Sequence, residues 1–262
     1  MERDIDKINV QLADAQLMWY EKICRPWMSN DFEYSQPFFT ALLHDYKENR
    51  KLVMIIGQET NGYGDIKDFD SDEDEKIKYN ICDSQKWVIE HLEYNLSTKK
   101  QTEKCYTLND KKIVYDNRPF FKSLRGIAQE YNVCWNNIDK ITYHPNAKRK
   151  KIKLTVDDER KLNKIIDTVH STLLLKEIEI IKPDIIVFAI GPKYKTSLAT
   201  SLCLEEKNIV DNMPNDNSLI GKKFFINIDE TVIPCYWTYH PYHFQFKKTN
   251  FVGKLLDVLK KI

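Results

Sequence analysis

The chain has 262 residues, 42% of them hydrophobic and 12% aromatic, enough to bury a sizeable core in one large domain or two small ones. Its 40 Lys and Arg against 39 Asp and Glu leave a formal net charge of +1, so no overall field marks a polyanionic partner. The longest apolar runs, such as Ile185 to Ile190 and Val53 to Ile56, fall far short of the roughly 20 residues that span a bilayer. The first ten residues, M-E-R-D-I-D-K-I-N-V, lack the apolar stretch and the small-residue cleavage site of a secretory signal. A cytoplasmic protein without membrane contact is therefore expected.

The six cysteines, Cys24, Cys82, Cys105, Cys134, Cys203 and Cys235, lie at least 23 residues apart with no C-x-x-C pair. In a cytosolic chain they read as free thiols packed as small hydrophobes, and neither a metal site nor a cofactor is expected. Charge is locally uneven. Lys148-Arg149-Lys150-Lys151 opens a basic run and Asp68 to Glu75 an acidic one; a solvated loop is the plain reading of both. The acidic run lacks the glycine and the spacing of a calcium loop.

In chain order, residues 1–50 read as helical, with Trp19, Ile23 and Trp27 spaced by four and a second apolar set at Phe38, Phe39, Leu42, Leu43 and Tyr46. Lys51 to Ile56 is a short apolar strand ended by Gly57. Residues 62–118 are polar and read as an insertion over the edge of the fold, with one helix from about Glu73 to Tyr94. Arg118-Pro119-Phe120-Phe121 opens a helix through Tyr131, and Asn132 to Asn136 follows as a strand. Thr155-x-x-Asp158 fits a capping box before a helix that carries Leu162 to Ile178 and stops at Pro183.

Asp184 to Ile190 is a continuous apolar run, the kind buried on both faces of a parallel sheet. Gly191-Pro192 turns it into a helix near Tyr194 to Leu204. Lys223 to Ile228 and Thr231 to Trp237 form a hairpin whose second strand runs into Thr238-Tyr239-His240-Pro241, and Thr249 to Ile262 closes as an amphipathic helix. Strands alternating with helices predict a single α/β domain over 1–262, three layers α/β/α with a mostly parallel central sheet of about four strands.

In open α/β sheets ligands bind beyond the carboxyl ends of the strands. Those ends carry Gly57-Gln58-Glu59-Thr60-Asn61-Gly62, then Asn136-Asn137-Ile138-Asp139-Lys140, then Gly191-Pro192, and last Tyr239-His240-Pro241; the four loops should share one crevice. Three of the chain's 7 glycines, at 57, 62 and 64, would let the first loop approach a ligand while Gln58, Glu59 and Asn61 offer donors and acceptors. The competing reading is a tight solvent turn. The spacing is that of neither a phosphate loop nor G-x-G-x-x-G. At the far end, Pro241 restrains His240, and a held imidazole serves as a hydrogen-bond donor or an acid-base group, although such a histidine taken alone is more often structural. A second T-Y-H-P at Thr142 to Pro145 shows that the tetrapeptide alone is weakly specific.

The order of these motifs resembles the uracil-DNA glycosylase superfamily: a strand ending in G-Q-E, a later one ending in N-x-x-K, a P-D-I-I-V-x-x-x-G strand and a terminal T-Y-H-P turn, over about Lys51 to Pro241. The resemblance implies that Glu59 stands where an aspartate positions the attacking water and that Asn137 reads the edge of a flipped base. It also implies that His240 hydrogen-bonds the departing base and that Phe120 or Phe121 stacks on it. Gln58 and Asn61 would join the base site. Two departures are plain: Thr60 replaces a usual proline, and Glu59 is one methylene longer than aspartate.

The activity implied by the resemblance is that of an N-glycosylase acting on a uracil-like or deaminated base. DNA is favoured over RNA, with Lys148, Arg149, Lys150 and Lys247 on the phosphate backbone and the protein acting as a monomer. Two alternatives stay open. One is the same fold binding nucleic acid without excision; the other is a hydrolase of free nucleosides or nucleotides.

Overall fold

The computed structural model describes residues 3–28, 33–58, 69–71, 73–96, 105–108, 111–114, 118–141, 143–144, 173–214, 220–241 and 250–261. Helix α1 (Ile5–Trp19) is capped by Asp4, whose carboxylate accepts from the Lys7 N–H, and runs on through a π-helical stretch, Tyr20–Cys24. The main strands are β2 (Leu52–Gly57), β5 (Asn132–Asn137), β7 (Ile185–Ala189), β8 (Phe224–Ile228) and β9 (Thr231–Thr238). Between them lie α2 (Asp74–Leu96), α3 (Pro119–Ile127), α4 (described over 173–181), α5 (Lys195–Ser201) and α6 (Lys207–Val210), and α7 (Phe251–Leu259) closes the described chain. Two small antiparallel pairs complete it: β1 (Glu33–Tyr34) with β6 (Tyr143–His144), and β3 (Cys105–Leu108) with β4 (Lys111–Val114).

The central sheet has the order β5-β2-β7-β9-β8, four parallel strands and one antiparallel edge strand that returns through the Asp229-Glu230 turn. The side-chain period of two divides its residues between two cores. Leu52, Met54, Ile56, Ile186, Phe188, Cys235 and Trp237 face one side, where Leu12 of α1, Leu174 and Ile178 of α4 and Leu198 of α5 cover them. Val53, Ile55, Val133, Val187 and Tyr236 face the other, under Val88 and Leu92 of α2, Phe121 and Leu124 of α3 and Leu255 of α7. This is a three-layer α/β/α arrangement. Burial on both faces is why β2 and β7 are apolar without alternation.

Two sequence expectations are corrected. The second apolar set does not form a helix: residues 35–43 are irregular, because the segment is laid between the outer edge of β5 and α1 and divides its hydrogen bonds between them, the Leu42 main chain exchanging bonds with the Asn9 amide. Thr40 Oγ1 donates to the Trp135 carbonyl at 2.6 Å, and Asn132 Nδ2 donates to the Lys47 carbonyl at 2.7 Å. Phe38, Phe39 and Leu42 are nonetheless buried, each in a different core cluster. Nor does the stretch 62–118 carry its helix alone: it also holds the β3–β4 pair, and α2 buries Ile77, Ile81, Val88 and Leu92 fully. The remaining differences are the short β1–β6 pair and α6, for which the sequence reading had no counterpart, and boundary shifts such as α3 ending at Ile127 rather than Tyr131. The basic run and the Thr155 capping box lie outside the described residues.

Candidate functional site

Parallel pairing aligns the strand ends. Gly57 is opposite Asn137 and Ala189 opposite Thr238, so the four loops singled out in the sequence leave the sheet along one edge. Main-chain bonds tie them there: Ile138 N donates to Gly57 O and Asp139 N to Gln58 O, both at 2.9 Å, while Gly191 N donates to Thr238 O at 2.9 Å. Gly191 has φ 77°, a left-handed conformation that suits glycine, and the position where its Cβ would stand is 3.8 Å from His240 N. The Gln58 amide donates to the Ile190 carbonyl at 2.7 Å, so this predicted base-binding group straps the β2 exit to the β7 exit.

Three predicted residues come together on the α3 side of this edge. Asn137 is 2% exposed; its Oδ1 accepts from the Trp135 indole N–H at 3.1 Å, and its Nδ2 is buried without a hydrogen-bond partner among the described residues. Gly57 makes room for it, since a Cβ there would stand 2.7 Å from Asn137 Oδ1 and 3.4 Å from the Phe120 ring. Phe120, presented by the first turn of α3, lies nearly parallel to the His240 imidazole, with centroids 6.1 Å apart and planes 7° apart. Glu59, Asn61, Lys148, Arg149, Lys150 and Lys247 lie outside the described residues, and with them the spatial relation of Glu59 to His240.

The electrostatics follow from burial. Desolvation, helped by the Lys193 ammonium, pushes the His240 imidazole down to about 4, so the ring is neutral near pH 7 and can donate an N–H without bringing a full charge into the edge. An uncharged imidazole is a competent donor to a developing oxyanion. The Asn137 amide is a donor held in place at a cost, because an unsatisfied buried polar group destabilises by about 1–3 kcal/mol.

Behind the edge, on the α1 and α4 side, lies a polar knot that the sequence reading missed. Lys140 and Glu177, both 0% exposed, form an ion pair; Lys140 also donates to Asn136 Oδ1, and Asn136 Nδ2 donates to Glu177 at 2.9 Å. Gln16 of α1 donates to the other Glu177 oxygen at 2.9 Å and accepts from Gln85 of α2 at 2.9 Å. Burial draws the Lys140 ammonium below the usual lysine value, while the Glu177 carboxylate opposes the shift. The signal was present in the sequence: Glu177 takes the place of an apolar residue in the stripe Leu173, Leu174, Ile178 and Ile181.

Two cavities, of about 650 and 550 Å³, run along α1 and α2 and beneath residues 42–50, share His44 and Glu93, and are lined by none of Asn137, Phe120 or His240. Among the described residues no group of three His, Cys, Asp or Glu side chains is suited to a metal. No helix among them is long and apolar enough to cross a membrane. The chain matches no protein-family model and no curated protein.

Proposed function

We propose that the carboxyl edge of the sheet receives a flipped nucleobase and that the protein hydrolyses its N-glycosidic bond. The observation that carries the reading is the buried amide of Asn137, whose donor has no partner among the described residues, beside Phe120 and a neutral His240. A pyrimidine-like base has the matching features: a π-face for Phe120 and exocyclic carbonyl oxygens that accept from an amide N–H and from an imidazole. As the bond from sugar to base breaks, positive charge grows on the sugar and negative charge on the base. The His240 N–H would stabilise the departing base, and Glu59 would stabilise the sugar and orient the attacking water. Lys148, Arg149, Lys150 and Lys247 are assigned to phosphates, a sequence-independent attraction that weakens steeply with salt.

The test uses single- and double-stranded oligonucleotides carrying uracil, hypoxanthine or xanthine, with abasic sites detected by alkaline cleavage. Product is expected, and His240→Ala should slow it roughly 10²–10³-fold, the usual loss for one oxyanion donor. Tight, salt-sensitive binding with no product would instead establish binding without excision. Free base released from nucleosides but not from oligonucleotides would establish a nucleoside hydrolase. If neither product nor binding is seen with any of these substrates, the nucleobase reading is wrong.

A further inference from the structure

The two edges of the central sheet are finished differently. Residues 38–47 cover the β5 edge through the Thr40 and Lys47 bonds described above. Beyond β8, the opposite edge, no strand lies among the described residues. β8 alternates strictly, with Phe224, Ile226 and Ile228 buried and Phe225 and Asn227 exposed. Phe225 is 54% exposed, and on the neighbouring strand Val232, across from Asn227, is 59% exposed.

The phase of the ladder says which main-chain groups point outward. The two-residue turn makes Ile228 and Thr231 a hydrogen-bonded pair, and Pro234, which has no N–H to give, stands opposite Phe225 in a non-bonded one. The N–H and C=O of Phe225 and Asn227 therefore face away from β9.

The sequence across this edge is Lys222-Lys223-Phe224-Phe225-Ile226-Asn227-Ile228-Asp229-Glu230, basic at one end and acidic at the other. All four charged residues are exposed, and none has an ion-pair partner among the described residues. We propose that β8 is a self-association edge, in which a second copy of this chain pairs with it antiparallel about a two-fold axis at Ile226 to join two five-stranded sheets into one of ten. In that register each Phe225 takes an outward hydrogen-bonded pair with the partner's Asn227. Lys223 then meets the partner's Asp229 on one face and Lys222 the partner's Glu230 on the other. The two Phe225 rings become diagonal neighbours, within the reach of aromatic side chains. A shift by two residues in either direction keeps the main-chain bonds but breaks the charge matching, so the charges select one register. The pairing departs from the monomer expected from sequence and is independent of the glycosylase reading.

The experiment is the mass of the full chain in solution, by sedimentation equilibrium or light scattering across concentration. A dimer that weakens with added salt is expected. Two variants, Lys222→Glu/Lys223→Glu and Asp229→Lys/Glu230→Lys, should each be monomeric, because like charges then oppose, and an equimolar mixture should regain the dimer as a one-to-one heterodimer. All four sites are exposed and outside the core, and circular dichroism checks that the variants remain folded. A native chain that stays monomeric up to millimolar concentration overturns the proposal, as does a charge-reversed variant that dimerises like the native chain.

Discussion

Asn136 and Asn137 are adjacent, equally buried and chemically identical, yet they belong to opposite kinds of site. Asn136 points to the α4 side, where its carbonyl accepts from Lys140 and from the Asn137 N–H and its amide donates to Glu177. Asn137 points to the α3 side, where its amide donates to nothing described. The strand period of two places one asparagine in each layer. A saturated network holds geometry, whereas a buried donor with no partner among the described residues calls for an explanation, and the proposed base site offers one. The knot on one side thus fixes the backbone from which the other side presents its free amide.

The comparison can be broken most forcefully at the ion pair. Lys140→Met strands a buried carboxylate and Glu177→Leu strands a buried ammonium; each should destabilise by about 3–5 kcal/mol in urea unfolding. The double substitution should recover most of that loss, because an apolar pair of similar volume leaves no charge unpaired. Additive losses in the double variant would show that Lys140 and Glu177 do not act as a unit.

Gly57 tests the crevice side. A methyl group there would stand 2.7 Å from Asn137 Oδ1, so Gly57→Ala must displace the amide or the Phe120 ring. The expected loss is about 1–3 kcal/mol, as for other overpacked sites. Since Asn137 accepts from Trp135, the displacement should also change the indole fluorescence. Unchanged stability and emission would mean that the close approach is not tight in solution.

A pH series separates the layers further. The His240 imidazole is held at about 4 in the fold against 6.5 for an ordinary histidine, so between those values the unfolded chain binds the extra proton. This contribution to stability is complete above 6.5 and is lost as pH falls toward 4. On the order of 2 kcal/mol should disappear over that window, the partial exposure of the ring keeping the figure below the full shift. His240→Asn should lack this loss, so the difference between the native and variant profiles, in which the titrating carboxylates cancel, should change by on the order of 2 kcal/mol between pH 6.5 and 4. A native profile that runs parallel to the variant's would mean that His240 titrates normally.

The strands were legible because burial on both faces leaves continuous apolar runs, and the alignment of their carboxyl ends because strands alternating with helices imply parallel pairing; both arise from local pattern. Residues 35–43 were misread because Phe38, Phe39, Leu42 and Leu43 imitate helical spacing, whereas the segment's bonds go outward, from Thr40 to Trp135 of β5 and from Leu42 to Asn9 of α1. The knot escaped because Glu177, Asn136, Gln16 and Gln85 come from four separate elements, and only tertiary packing reveals that a charge on an apolar stripe has partners. Phe120, offered together with Phe121 through the resemblance, lies beside His240, and Trp135 was not singled out at all, since no spacing rule connects an indole to the amide two residues on.

The smallest expected effect is the most discriminating. Asn137→Leu removes an unsatisfied donor and replaces it with a side chain of similar volume that fits among Trp135, Phe120 and Gly57. What it takes away is the acceptor for Trp135 Nε1, on a partly exposed residue that water can reach. The two changes oppose each other, so stability should move by less than about 1 kcal/mol. Asn136→Leu, by contrast, strips an acceptor from Lys140 and a donor from Glu177 in a fully buried knot, and should destabilise several times more. If Asn137→Leu loses oligonucleotide binding while its unfolding midpoint holds, the free amide is kept for a ligand. If it unfolds as readily as Asn136→Leu, Asn137 is part of the scaffold, and the functional reading of this edge loses its strongest support.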